Sequence, residues 1–131
     1  LGDEIGYIDP ETKVERHVPL EIRIPNESET FYNETFEELG LYTETPTLPF
    51  ATLGTLGWAH SDQALDDGSS QFFFFLFDAE LTPAGRNLID GRNAVFGYVV
   101  DGAEILKKLN VKDRIISIKV VDGADRLKAN A

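Results

Sequence analysis

The chain has 131 residues, of which 42% are apolar and nine are Phe, and this composition predicts one globular domain rather than a disordered chain. Its 12 basic and 23 acidic residues give a formal net charge of −11, so nucleic acid and anionic membranes are not expected as partners. The absence of Cys excludes disulfides and thiolate chemistry, and no apolar stretch approaches the roughly 18–20 residues that a membrane span needs.

Two local elements are predicted in the first part of the chain. Residues 18–24 alternate apolar and polar side chains, which predicts a strand with a proline near each end. Thr35 followed three residues later by Glu38 is a capping-box pattern, and Gly40 is a natural stop signal. A helical turn over residues 35–39 is therefore expected.

Residues 51–59 and 71–77 are predicted to be strands, and the polar residues 61–70 form a loop between them. The first strand contains Gly54 and Gly57, which is typical of a bend or of a close approach by another backbone segment. The second is a continuous apolar run after its first residue, so no polar face is left for water and a buried strand is predicted.

Side chains alternate between the two faces of a strand, and this divides the 71–77 segment into two sets. One face is expected to carry Gln71, Phe73 and Phe75, and the other Phe72, Phe74 and Leu76. One face can fill a core while the other offers an amide beside aromatic rings, which predicts a binding surface.

The last part of the chain is predicted to be a loop at 78–91, a strand at 94–100, a helix at 103–109 that Asp101 caps, and a final strand at 114–121. Strands dominate, the helices are short, and turn signals recur at short intervals. This pattern indicates an antiparallel sandwich or barrel with peripheral helices.

Two motifs in this chain resemble those of the cyclophilin family. Residues 68–73 read Gly-Ser-Ser-Gln-Phe-Phe, where the family has Gly-Ser-Gln-Phe-Phe. Residues 89–97 read Ile-Asp-Gly-Arg-Asn-Ala-Val-Phe-Gly, where the family has Leu-Asp-Gly, a basic residue and then His-Val-Val-Phe-Gly. The resemblance covers about residues 54–123.

The resemblance implies a mainly β fold, an eight-stranded antiparallel β-barrel with short capping helices. Residues 1–131 would form the C-terminal two-thirds or so of one such domain. The resemblance also implies peptidyl-prolyl cis–trans isomerase activity, which assists protein folding by rotating X–Pro bonds. Proline-containing polypeptides are therefore the expected clients.

Three further segments are similar to the multidomain cyclophilins of the plant and cyanobacterial thylakoid lumen. They lie at residues 8–12, 18–22 and 31–42, and they are not usual in small cytosolic cyclophilins. This similarity implies a location in the chloroplast thylakoid lumen. A transit peptide and a twin-Arg or Sec-type signal are then expected upstream of Leu1.

The family resemblance also implies roles at a peptide-binding groove. Phe73 would form the floor of the proline pocket, and Gln71 would orient the peptide backbone. Leu88 and Ile89 would form the walls of this pocket. Taken alone, Phe73 is more often a core residue, and its partner Gln71 is what favours the binding role.

Three more residues match positions that contact the peptide in the family. Ala59 and His60 match the strand pair that holds the peptide by main-chain hydrogen bonds, where the family commonly has Ala-Asn. Asn93 stands where the family usually has His. With His17 and His60 as the two histidines and no Cys, no metal site is expected, and an isomerase of this class needs no cofactor.

One departure concerns ligand affinity. Leu88 replaces the pocket Trp that is typical of the family, and it keeps an apolar wall but lacks the indole N–H donor. Cyclosporin-type ligands use that donor in the family. Weak cyclosporin binding is therefore expected.

A second departure concerns the catalytic Arg. In the family it lies in a Phe-His-Arg type segment before the stretch that this chain matches, so the catalytic residue stays unassigned. Arg92 matches a surface basic residue of the family, and Arg86 lies in an expanded loop, so both are poor substitutes. The chain begins at Leu1 without any Met, and we expect a processed or excised piece of a longer protein.

Two other interpretations stay open. The first is a catalytically weak or inactive cyclophilin-fold module that binds proline-containing segments, with chemistry lost at Leu88 and Asn93. The second is an unrelated β-barrel that binds a small ligand.

Overall fold

A computed structural model describes residues 5–77 and 87–126. Within these ranges the chain forms short strands and two short helical segments. The strands are β1 (Tyr7–Ile8), β2 (Glu15–Arg16), β3 (Glu21–Ile22), β4 (Phe31–Tyr32), β5 (Thr55–Trp58), β6 (Phe72–Phe74) and β7 (Val95–Tyr98). The helical segments are α1 (Ala103–Leu106) and a 3₁₀ turn at Ala124–Arg126.

The described strands form three antiparallel sheets. β1 pairs with β2, and β3 pairs with β4 so that Ile22 lies opposite Phe31. The third sheet has the order β6–β5–β7, with the pairing of β5 and β7 shifted between Leu56 and Gly57. The mainly β class is confirmed, and among the described residues the sheets do not close into a barrel.

The central strand β5 and its neighbours confirm the alternation predicted for the phenylalanine run. The Phe50 ring lies 5.5 Å from the Phe73 ring and 5.8 Å from the Phe75 ring, measured between centroids. On the other side, Phe72 and Phe74 pack edge to face at 5.7 Å. Phe50 is fully buried, so the face of Phe73 and Phe75, which is also the face predicted to carry Gln71, belongs to the core. The prediction that the core and the amide lie on opposite faces is therefore wrong.

A second apolar cluster lies under the β3–β4 sheet. Its buried members are Leu20, Ile22 and Phe36, and Ala94 at the entry to β7 packs against them. The main-chain N–H of Phe36 donates to the Gly91 carbonyl at 2.9 Å. This cluster therefore supports the turn that precedes β7.

The capping-box prediction at residues 35–40 is confirmed. The Thr35 N–H donates to the Glu38 carboxylate at 2.7 Å, and the Glu38 N–H donates to the Thr35 hydroxyl at 3.2 Å. The Leu41 N–H donates to the Phe36 carbonyl at 2.8 Å, and Gly40 has a φ of 72°, which is the Schellman ending of a helix. The segment forms one turn, because its start and stop signals are only five residues apart.

The structure corrects two predictions near the end of the chain. The α1 helix is shorter than expected, and Gly102 rather than Asp101 is its N-cap, with a φ of 79°. Residues 114–121 were expected to form a strand and do not. A strand needs a neighbour for its backbone N–H and C=O groups, and no described strand pairs with them. Ile116 is consequently 98% exposed.

Part of the loop predicted at 78–91 falls at residues 78–86, outside the described residues, and Arg86 lies there too. Its remaining residues, 87–91, form bends and turns as expected. Among the described residues, no helix has the length and apolarity required to cross a lipid bilayer.

Candidate functional site

Several of the predicted site residues meet where β5 ends and β6 begins. Trp58 lies opposite Phe72 in the antiparallel register, and one residue further out the Ala59 N–H donates to the Gln71 carbonyl at 3.0 Å. Ala59 and Gln71 are therefore neighbours across the strand pair. Both side chains are half-buried, so they lie at the border between the sheet and solvent.

The start of β7 joins this end of β5 from the other side. The Trp58 N–H donates to the Ala94 carbonyl at 2.9 Å, and the Asn93 side-chain amide donates to the Trp58 carbonyl at 3.1 Å. The His60 Nε2 atom lies 2.6 Å from the Arg92 carbonyl oxygen. Four predicted residues, Ala59, His60, Gln71 and Asn93, are thus gathered at one end of the central strand.

Phe73 lies one step further along β6, opposite Gly57 in the register. Its ring is stacked on Phe50 with an interplanar angle of 19°. Gly57 carries no side chain, which leaves room for both rings over the strand. Phe73 is half-buried, so part of its surface stays open to solvent.

Phe73 also lines a cavity of about 560 Å³. Its lining residues are 73–77, Asn87, Leu88 and Ile89, which are apolar apart from Asn87. Three predicted pocket residues, Phe73, Leu88 and Ile89, therefore share one cavity. Leu88 is 86% exposed, so it stands at the rim.

The cavity and the strand-end group are connected by the turn at residues 89–93. The main-chain N–H groups of Arg92 and Asn93 both donate to the Ile89 carbonyl, at 3.0 and 3.1 Å. Asn93 itself lines a different and smaller cavity of about 210 Å³, on the side of β3. The predicted residues therefore form two adjoining groups rather than one ring around a single pocket.

Sequence reasoning missed the residues that hold the cavity wall in place. The Asn87 side-chain amide donates to the Phe50 carbonyl at 2.7 Å, and its oxygen accepts the N–H groups of Ile89 and Asp90 at 3.1 and 2.8 Å. The Phe50 N–H donates to the Asp90 carboxylate at 2.6 Å. The sequence does contain a signal for this contact. Asn87 stands directly before Leu-Ile-Asp-Gly, and Asn at such a place is typical of an Asx turn.

Among the described residues, hydrogen bonds lower the pKa of three carboxyl groups. The N–H groups of Thr12 and Glu11 lower the pKa of Asp9, and the N–H of Gly6 lowers the pKa of Glu15. Near the site, hydrogen bonds from the Ser61 side chain and main chain lower the pKa of Asp67. These carboxylates are favoured in their ionised form.

The described residues hold no group of three or more His, Cys, Asp or Glu side chains with metal-binding geometry. The cavity offers an apolar surface, and the strand end offers amide and imidazole groups.

Comparison of the sequence with protein-family models shows which family the chain belongs to. The family model described as "Cyclophilin type peptidyl-prolyl cis-trans isomerase/CLD" matches residues 5–129. The chain belongs to the cyclophilin family. The resemblance seen in the two sequence motifs is thereby confirmed.

Individual cyclophilins extend the comparison. The chain is 51% identical over 126 residues, 96% of its length, to a putative thylakoid lumen peptidyl-prolyl cis-trans isomerase of Synechocystis. It is 48% identical over 126 residues, again 96% of its length, to a chloroplastic peptidyl-prolyl cis-trans isomerase of Arabidopsis thaliana. A second chloroplastic isomerase of that plant is 35% identical over 112 residues, 84% of this chain. The matches cover 33%, 29% and 24% of these relatives, so the chain spans a third of their length or less.

Proposed function

We propose that the protein carrying this chain is a peptidyl-prolyl cis–trans isomerase that assists folding by rotating X–Pro bonds. Membership in the cyclophilin family supports the proposal. The observation that carries it is the apolar cavity bounded by Phe73, Leu88 and Ile89, beside a strand end that presents hydrogen-bonding groups. Such a site accepts a proline ring and the polar backbone on either side of it.

The reaction needs binding rather than covalent chemistry. Amide resonance gives the X–Pro bond a rotation barrier of about 18–20 kcal/mol, and uncatalysed exchange takes about 10–100 s. A surface that holds the twisted amide more tightly than the planar one lowers this barrier. No nucleophile, metal or cofactor is required for that.

Within this proposal each predicted residue has a role. Phe73 is the floor of the proline pocket, with Leu88 and Ile89 as its walls. The remaining contacts hold the peptide backbone on both sides of the proline, and they come from Gln71, Ala59, His60 and Asn93. All of these lie within the cavity or at the adjoining strand end.

The catalytic hydrogen-bond donor is left unassigned. Arg92 is exposed and its guanidinium forms an ion pair with Glu37, so it is already engaged away from the cavity. Removing one preorganised donor from an active site costs about 2.7–4 kcal/mol, or roughly 10²–10³ in rate. Any test of catalysis therefore uses the full-length protein.

The names of the relatives support a location for the protein. Two of them are described as chloroplastic and one as a putative thylakoid lumen protein. We propose the thylakoid lumen as the location of this protein too. Its clients would be proline-containing polypeptides that reach that compartment.

An isomerase assay on a proline tetrapeptide tests the function. We expect acceleration by the full-length protein, and a loss of about tenfold or more in kcat/KM for Phe73→Ala. Burying an apolar side chain is worth about 1.5–3 kcal/mol, and 1.36 kcal/mol is tenfold in rate. Phe96→Ala is the control, because this ring packs on Trp58 instead of the cavity. Equal losses in both variants would contradict the assignment of Phe73.

The second candidate is a binding module without catalysis. Leu88 and Asn93, which stand where the family usually has Trp and His, favour it. This candidate predicts peptide-induced NMR shifts at Gln71 and Phe73 without acceleration of exchange. The third interpretation, an unrelated β-barrel, is wrong, because the family model for cyclophilins matches residues 5–129. The absence of both shifts and acceleration would contradict both remaining candidates.

Cyclosporin affinity is a separate prediction. We expect weak binding by the wild type in titration calorimetry, because Leu88 has no indole N–H to donate. Leu88→Trp should tighten binding, whereas Val100→Trp, at a position that is 97% exposed, should not. Nanomolar affinity of the wild type would overturn this prediction.

A further inference from the structure

The cavity that Phe73 lines extends beyond the space that a proline ring needs. Its volume is about 560 Å³, and its lining continues past Phe75 to Leu76 and Phe77. Cavities of about 300–1,000 Å³ bury most of a drug-sized ligand, and a proline ring is far smaller than such a ligand. The proposed proline pocket therefore uses only one end of this cavity.

Aromatic rings connect the two ends of the cavity. The Phe50 ring lies between Phe73 and Phe75, at 5.5 and 5.8 Å between centroids. The Phe77 ring follows at 5.7 Å from the buried Phe75 ring. Phe77 is itself 55% exposed, and its neighbour Leu76 is exposed too. Phe77 thus rests on a buried ring and forms with Leu76 an apolar surface, which we call the outer end of the cavity.

The outer end offers apolar contact without a free hydrogen-bonding group. The one polar side chain that lines the cavity is Asn87. Its amide nitrogen donates to the Phe50 carbonyl and to the Asp90 carboxylate, and its oxygen accepts two main-chain N–H groups. A charged side chain placed in this cavity would lose its hydration and gain no partner there, which is costly.

The spacing of the lining residues matches that of an extended peptide. Proline disfavours helical backbone at the residue before it, so a client is extended there. In extended backbone, side chains two positions apart lie on the same side, about 7 Å from each other. Phe73 and Phe75 are also two positions apart, and Phe75 continues the pairing with β5, since its N–H donates to the Thr55 carbonyl at 2.8 Å. A client that runs along this segment with its proline at Phe73 therefore brings another side chain to the outer end.

We propose that the outer end of the cavity, Leu76 and Phe77, is a specificity subsite for a large apolar side chain two positions from the client's proline. Clients with a charged residue at that position are disfavoured. The subsite is continuous with the proline pocket, because both belong to one cavity. This inference rests on the proposed function of the same site.

The test compares two series of proline peptides in an NMR-exchange isomerase assay with the full-length protein. One series carries Phe, Ala or Glu two positions before the proline, and the other carries them two positions after it. In one of the series we expect Phe to raise kcat/KM about tenfold over Ala, and Glu to lower it, because a partly enclosed apolar pocket discriminates near the lower limit of about 10–200-fold. That series also gives the direction of the bound peptide. Equal kcat/KM for all three residues in both series would overturn the proposal.

Variants of the subsite test whether Phe77 causes the preference. Phe77→Ala should bring the ratio of kcat/KM for the Phe and Ala peptides close to one, whereas Phe77→Leu, which keeps an apolar side chain, should retain most of it. Tyr42→Ala is the control, because Tyr42 is an exposed aromatic residue that does not line the cavity. Leu76→Gln is the second variant if Phe77→Ala melts at a lower temperature than the wild type. A wild-type ratio in both Phe77→Ala and Leu76→Gln would contradict the subsite.

NMR supplies a readout that does not depend on turnover. We expect nuclear Overhauser contacts between the Phe77 ring and the Phe ring of the bound peptide. Contacts of the Phe77 ring with another part of the full-length protein in the absence of peptide would show that the outer end is filled from within, and they would overturn the proposal. Isomerisation that is sensitive to Phe73→Ala but indifferent to the neighbouring residue would refute the subsite alone. If no peptide is bound or isomerised, the proposed function fails and the subsite fails with it.

Discussion

Gly57 is the residue that allows the Phe73 ring to lie over the central strand. The two residues are paired across β5 and β6, and the Phe50 ring packs on the same spot. A Cβ atom on residue 57 would lie 2.7 Å from the Phe50 ring and closer still to Phe73. Any side chain at this position therefore displaces the rings that form the floor of the cavity.

Gly57→Ala is accordingly expected to destabilise the fold by about 1–3 kcal/mol, the usual cost of overpacking a filled site. The measurement is urea unfolding followed by fluorescence of Trp58. Gly97→Ala is the control, because its nearest neighbour is the end of the Leu56 side chain at 3.2 Å, which can move. Equal stability of the two variants would show that the rings adapt to a new methyl group.

Asn87 is a second single residue on which the cavity depends, because its side chain holds the cavity wall in place. Its side chain joins the Phe50 carbonyl to the turn that bears Leu88 and Ile89. We expect Asn87→Ala to raise KM for a proline peptide and to cost about 1–2 kcal/mol of stability, because partly buried hydrogen bonds are lost. Asn110→Ala removes a similar but exposed Asx bond away from the cavity, and it should leave KM unchanged. A wild-type KM in Asn87→Ala would contradict the role of this side chain.

The clearest local element is the turn at residues 35–40. The capping box at its start and the Schellman ending at its close satisfy the backbone groups that a short helix leaves open. Phe36 anchors the turn in the β3–β4 core cluster. Local chemistry therefore specifies the turn, and packing fixes its position.

Thr35→Ala should cost about 0.5–2 kcal/mol in chemical denaturation, the typical effect of losing an N-cap side chain. The stability losses of Thr35→Ala and Glu38→Gln should not add in the double variant, because the two side chains form one reciprocal pair. Thr43→Ala, at an exposed position just after the turn, is the control and should be neutral. Independent, additive costs would show that the box does not act as a unit.

At the scale of the whole molecule, acid sensitivity is expected from three carboxyl groups in the described part of the chain. Hydrogen bonds lower the pKa values of Asp9, Glu15 and Asp67 in the folded state. The unfolded chain therefore binds more protons than the folded protein as these groups titrate. Their contribution is present above the usual values of 3.8 for Asp and 4.5 for Glu, and it is lost as the pH falls through the lowered values.

Thermal unfolding between pH 7 and pH 2 measures this dependence. We expect a melting temperature that is steady near neutral pH and falls below about pH 4.5. Asp67→Asn should lower stability at pH 7 and make the acid slope shallower. Asp62→Asn, on the same loop, should leave the slope as it is. A slope that is identical in all three proteins would show that the Ser61 hydrogen bonds to Asp67 are not linked to folding.

The sequence anticipated those elements whose signals are local. Two-residue alternation predicted the two faces of the phenylalanine run, and the spacing of Thr35 and Glu38 predicted a capped turn. The strand expected at 114–121 failed because alternation reports a preference for extended backbone, whereas a strand also needs a partner. The cap expected at Asp101 failed because a left-handed Gly102 starts the helix instead.

The sequence alone determined that the chain is a mainly β member of the cyclophilin family, because the two motifs and the alternating apolar runs are properties of neighbouring residues. Only the tertiary structure decided that Phe73, Leu88 and Ile89 share a cavity. It also decided that Asn87 ties the wall to Phe50 and that His60 contacts the Arg92 carbonyl. These contacts join residues that are distant in the chain, and hydrogen-bond geometry between such residues is set by packing rather than by local sequence.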